Sequence, residues 1–112
     1  MAKGAHLGEF EHLVMLALLR LKDDRYGMRV RREIQGRTER SVSIGSVYAT
    51  LDRLERKGYV MASFGASGSE RRGRARRYFR LTPEGAQSLL RMREEIQRMT
   101  EGVSVRRELE AI

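Results

Sequence analysis

The sequence predicts a mostly α-helical domain with a small β-hairpin, a winged helix-turn-helix followed by a C-terminal dimerisation helix. Three observations carry that prediction. Apolar residues recur at helical spacing through the N-terminal half. Two short runs rich in aromatic and β-branched residues flank an arginine- and glycine-rich stretch. A Thr-Pro-Glu start then opens another long helix. At 112 residues the chain is the size of one compact domain.

Residues 9–22 form the clearest helix. Phe10, Leu13, Val14, Ala17, Leu18 and Leu21 follow the spacing of one buried face, and Met15, Leu16 and Leu19 make a second apolar face. A helix apolar almost all round needs cover from two directions, and a second subunit is the cover expected here. Asp23, Asp24 and Tyr26-Gly27 break the chain before a second helix at about 26–37, where Val30 and Ile34 give a thin apolar stripe among arginines. A third helix at about 43–57 has Ser43 as N-cap and Gly58 as its stop. Ile44, Val47, Leu51 and Leu54 face the core. The opposite side presents Gly45, Ser46, Ala49, Arg53 and Arg56, with Tyr48, Thr50 and Asp52 at its edges. A face of small and hydroxylic side chains lets a helix approach another surface closely, and from it the Arg53 guanidinium is placed to reach guanine edges.

Residues 59–64 and 76–81 read as two strands, with Val60, Ala62 and Phe64 on one face matched by Phe79 and Leu81. Between them lies a glycine-rich hairpin tip carrying arginines. Thr82, Pro83 and Glu84 supply an N-cap, an N1 proline and an early acid. The helix they open, about 83–101, sets Leu89, Met92, Ile96, Met99 and Val103 at alternating spacings of three and four, an a/d seam. Gly102 ends or bends it, and the last ten residues carry a weaker helical pattern. Residues 1–81 are thus read as the winged-helix DNA-binding part. Residues 82–112 are read as a dimerisation helix packed on the first helix, in one structural unit.

Charge points to a polyanionic partner. The chain carries 23 Lys+Arg against 15 Asp+Glu, a formal net charge of +8, and the excess sits in residues 25–40 and 66–80. Most of the bases are arginine, whose planar fork suits phosphates and base edges. There is no cysteine, which excludes disulfides, thiolate metal sites and a thiol nucleophile. No apolar run is long enough to span a bilayer, and the N-terminal stretch does not read as a signal peptide, so a cytoplasmic location is expected. His6 and His12 are the only histidines, and no HExxH, nucleophile elbow or phosphate loop is present. The expectation is a protein that is not an enzyme and uses no cofactor or metal.

The order helix, helix, helix, hairpin, helix places the third helix in a major groove and the arginine-bearing tip on backbone or minor groove. The stretch from Leu7 to Gly85 also resembles the PadR-type transcriptional regulators, most closely the short subfamily with a single C-terminal helix. The likeness rests on LGEFEHLVMLALL at the start, Tyr26-Gly27, SIGSVYATLDRLERKGYV at 43–60 and ARRYFRLTPEG at 75–85. It implies a homodimer on palindromic double-stranded DNA, often a repressor released by a small-molecule effector at the dimer interface. It also implies DNA contacts by Ser43, Ser46, Tyr48 and Thr50, joined by the close-approach positions Gly45 and Ala49. The wing arginines Arg71, Arg72, Arg74 and Arg76 would meet phosphate or minor groove. The joining surfaces expected for the dimer are Met15, Leu16 and Leu19 on the first helix and Leu89, Met92, Ile96, Met99 and Val103 on the last. Some members of that family stack aromatic compounds on an interface tryptophan, and this chain has no Trp. Two other readings compete: an RNA-binding winged-helix protein, for which Tyr59 and Tyr78 are the only candidate stacking residues, and a protein-interaction module.

Overall fold

The computed structural model describes residues 7–65 and 76–112. Five helices and one hairpin follow in the order α1 (Glu9–Arg20), α2 (Gly27–Thr38), α3 (Ile44–Arg56), β1 (Val60–Gly65), β2 (Arg76–Leu81), α4 (Pro83–Thr100) and α5 (Val105–Glu110). The expected winged helix-turn-helix order is present.

Local chemistry sets most of the boundaries. At the start of α1 the Gly8 N–H donates to Glu11 Oε1 at 2.8 Å, and Glu9 and Glu11 place negative charge at the positive end of the helix. Its far end is closed by Arg25, whose Nε donates to the carbonyls of Leu18 and Leu21. Ser43 caps α3 by accepting from the Ser46 N–H at 3.0 Å. Gly58, at φ +80°, ends the run into β1, with Gly58 N donating to Glu55 O and Tyr59 N to Leu54 O. Thr82 begins α4 twice over: its Oγ1 accepts from Gly85 N and donates to Gly58 O at 2.6 Å.

The hairpin is antiparallel, with Val60 opposite Leu81, Ala62 opposite Phe79 and Phe64 opposite Arg77. The other edge of β2 is also occupied. Tyr26 makes an isolated antiparallel bridge with Tyr78, and Phe79 N donates to Arg25 O at 2.9 Å, so the residues leading into α2 are tied to that edge.

One core joins these pieces. Val14, Met15 and Leu18 of α1 meet Val30 and Ile34 of α2, Val47, Leu51 and Leu54 of α3, Val60 and Phe79 of the hairpin and Leu89 of α4. Two expectations are corrected here. Met15 is fully buried in the core of its own chain, because α1 is packed by α2, α3 and β2; it is not on a second, outward face. Phe64 is 71% exposed although it shares the inner face of the hairpin, because it lies at the outer end of β1 beyond the core.

Helix α4 packs on β2, with Ser88 and Leu89 buried and Met92 partly so. Beyond Met92 it leaves the core, and Ile96, Met99 and Val103 are exposed. Gly102, at φ +78°, turns the chain into α5, a helix with no buried residue. The last ten residues are therefore partly helical, as their weak pattern suggested.

Candidate nucleic-acid interface

The outer face of α3 is the centre of the candidate site. Ser43, Gly45, Ser46, Tyr48, Ala49 and Arg53 are all exposed along it. The two serines are tied to each other, Ser43 Oγ donating to Ser46 Oγ at 2.9 Å, which holds both hydroxyls at the tip of the helix. Tyr48 lies over the first turn of α2: a β-carbon on Gly27 would collide with its ring. A residue with any side chain at position 27 would have to displace that phenol.

Thr50 turns the other way. It is 2% exposed, and its Oγ1 accepts from Arg53 Nη2 at 3.2 Å. At about 100° per residue it falls beside Val47, Leu51 and Leu54, so the expected DNA contact by Thr50 is corrected to an inward, supporting position.

Arg53 is on the outer stripe, but its guanidinium is already engaged. Nε donates to Glu11 Oε2 at 3.2 Å, and Lys57 Nζ donates to both oxygens of the same carboxylate at 2.9 Å. The Glu11 side chain is 5% exposed. Burial pushes its carboxyl upward, but hydrogen bonds from Gly8 N–H, Lys57 and Arg53 outweigh that and hold it below the usual carboxylate range. Glu11 is absent from the expected site residues, yet the sequence carries a signal for it: with Val14 and Leu18 it occupies the i, i+3, i+7 positions of the buried face. A charge on an apolar stripe announces a partner.

The wing is fastened to the helices at its root. Arg77 donates to Asp52 Oδ1 at 3.2 Å and Glu55 Oε1 at 2.7 Å on α3, and its guanidinium lies over the Phe79 ring. Arg76, expected on DNA, has its guanidinium stacked 4.0 Å from the ring centre of Tyr26, which meets Tyr78 edge-on at 5.9 Å. Gly65 lets the Tyr78 ring approach β1 closely. Arg71, Arg72 and Arg74 lie outside the described residues.

Of the arginines in residues 25–40, several serve the fold. Arg25 closes α1, Arg31 Nε donates to Val42 O at 2.6 Å, and Arg29 and Arg40 pair with Asp24 and Glu9. The positive segment is thus partly neutralised within the chain. The expected dimer residues are also split. Met15 and Leu89 are buried, Leu16 and Met92 are half-buried, and Leu19, Ile96, Met99 and Val103 are exposed. Among the described residues no group of His, Cys, Asp or Glu could hold a metal ion, and no helix is long and apolar enough to cross a membrane.

The family model of the PadR-like transcriptional regulators matches residues 15–91, from the middle of α1 to the middle of α4. The chain belongs to this family. Among solved PadR structures, one from Clostridium difficile R20291 is 26% identical, with a TM-score of 0.65 over 81% of this chain and 94% of that one. Another, from Eggerthella lenta DSM 2243, is 25% identical, with a TM-score of 0.66 over 93% of this chain and 88% of that one. A Lysinibacillus sphaericus protein described as uncharacterized protein X is 36% identical over 74 residues. That match spans 64% of this chain and 64% of that relative, under two thirds of its length. The PadR assignment makes the chain a transcriptional regulator with a winged helix-turn-helix fold, in agreement with the resemblance seen in its motifs.

Proposed function

We propose that this PadR-like regulator is a sequence-specific repressor that acts in the cytoplasm as a homodimer on palindromic duplex DNA and is released by a small-molecule effector at the dimer interface. The observation that carries the reading is the outer stripe of α3, where Gly45, Ser46, Ala49 and Arg53 are exposed beside a wing root pinned to the same helix by Arg77. Small side chains let α3 enter the major groove, Ser43, Ser46 and Tyr48 reach phosphates at its entrance, and Arg53 faces base edges. The wing arginines Arg71, Arg72 and Arg74 then lie on backbone or minor groove, while Arg76 stacks at the wing root and acts from there.

One recognition helix reads only a few base pairs, so two are joined at a fixed separation of about 34–36 Å, one helical turn. Of the residues expected at that joining, Leu19, Ile96, Met99 and Val103 are exposed, with Leu16 and Met92 at its margin.

Titration of a duplex at increasing salt tests the reading. Log affinity should fall linearly with log salt, by about 0.9 for each phosphate neutralised. Replacing Arg71, Arg72 and Arg74 together with Ala should flatten that slope on every sequence alike. An unchanged slope would remove the wing from the interface, and binding indifferent to salt would favour a protein-interaction module instead.

A further inference from the structure

The acids and bases of α3 are sorted by side. Its acids Asp52 and Glu55 face the wing and are taken up by Arg77. Two of the bases at its C-terminal end, Arg53 and Lys57, face α1 and are taken up by Glu11, while Arg56 is exposed. Two cations share one carboxylate there, so the Glu11–Arg53–Lys57 cluster carries one net positive charge instead of two. The carboxylate itself is buried under the two cations, with Arg53 still about half exposed.

We propose that Glu11 is a positioning residue that sets the specificity of DNA binding, by fixing the Arg53 fork and cancelling one of the two positive charges of the Arg53–Lys57 pair at the C-terminal end of α3. The proposal rests on the DNA-binding reading above. Its physical basis is the difference between phosphate and base contacts. An unpaired cation at that end attracts every duplex equally through the phosphates, raising affinity without information. A guanidinium anchored through Nε keeps its terminal nitrogens in one plane and one direction, which is what a base edge requires. One of those nitrogens already meets Thr50, so the inward-turned threonine completes the clamp on Arg53. The anchor is long-range, joining residues 42 and 46 positions apart, so it also fixes the angle at which α3 leaves α1.

The test is the salt dependence of binding to a random-sequence duplex of about three helical turns, measured for the full chain and three variants. Glu11→Gln keeps the size of the side chain and an oxygen for Gly8 N–H while removing the charge. It should bind this duplex more tightly than wild type at low salt, with a slope steeper by about 0.9, so that its advantage shrinks about eightfold for each tenfold rise in salt. Lys57→Gln should shift the slope by about 0.9 the other way, and Glu11→Gln/Lys57→Gln should return it to the wild-type value. A purely structural role would instead weaken Glu11→Gln on every duplex without steepening the slope, and that result overturns the proposal. If Glu11→Gln does not fold, the other two variants decide: an unchanged slope in Lys57→Gln, or a double variant shallower than wild type, overturns it equally. Failure of the wild-type protein to bind the duplex in a salt-dependent way would sink the DNA-binding reading itself, a distinguishable outcome.

Discussion

The phenol ring of Tyr48 fills the space that a β-carbon on Gly27 would need, with its Oη 2.6 Å from that position. The contact joins the first turn of α2 to the middle of α3, and it holds a hydroxyl at the edge of the face proposed for DNA. Gly27 is buried and Tyr48 is partly exposed, so the tyrosine is the partner that can give way.

Gly27→Ala should therefore leave stability nearly unchanged, since alanine suits a helix and the displaced ring can swing into solvent. Duplex affinity should fall by about 1.5–3 kcal/mol, the scale of one hydrogen bond to a charged group. In a Tyr48→Ala background the same change should cost nothing further in binding. A full additive loss in the double variant would show that Tyr48 and Gly27 act separately.

Gly85→Ala should behave differently. A β-carbon there meets the backbone carbonyl of Tyr59, with its carbonyl carbon 2.9 Å away. Backbone cannot rotate aside as a ring can, so α4 must shift from the hairpin it packs on. The cost should be about 1–3 kcal/mol, which for a domain of this size lowers Tm by about 4–8 °C per kcal/mol. Thermal unfolding by circular dichroism measures it, and a Tm equal to wild type would contradict the packing described for α4.

Acid should destabilise the fold in two steps. Burial first, then the positive charge of Arg93, hold the His12 imidazole below its ordinary range, and its Nε2 is buried with no described hydrogen-bond partner. The unfolded chain therefore binds a proton more readily, and the His12 contribution is complete above 6.5 and lost as the pH falls below it. Glu11 also has a depressed folded value, so its contribution is complete above 4.5 and is lost on further acidification. His12→Gln should abolish the first fall in Tm, which sets in as the pH drops through 6.5, and Glu11→Gln the second. A first step that survives in His12→Gln would assign it to another group.

Assembly should fail in Ile96→Glu. Ile96 is on the part of α4 that has left the core, so the substitution should leave the monomer folded. Across a symmetric interface the new carboxylate would face its own copy without a counter-charge, a cost of about 3–5 kcal/mol. The variant should sediment as a monomer and bind duplex weakly, without preference for the selected site. A wild-type protein that is monomeric at micromolar concentration and still binds that site tightly would contradict the dimer mechanism.

Helix ends and hairpin register were legible in the chain because they depend on neighbours a few residues apart. Ser43 with Ser46, Gly58 after α3, and Thr82 with Pro83 and Gly85 all act within one turn, and the structure has them in those roles. The alternation that set Val60 and Ala62 opposite Leu81 and Phe79 is equally local. The inward turn of Thr50, the burial of Met15 and the pairing of Arg53 were not legible, because each depends on partners distant in sequence. Met15 reads as outward on a single helix and becomes core only when α2, α3 and β2 close around α1. Arg53 reads as an open base contact until Glu11, 42 positions earlier, is folded against it. By itself the sequence determined the elements, their order and the family to which they belong. Tertiary structure decided which charges remain outward, because a charge buried beside a cation is stabilised only by the particular partner that packing brings within hydrogen-bond reach.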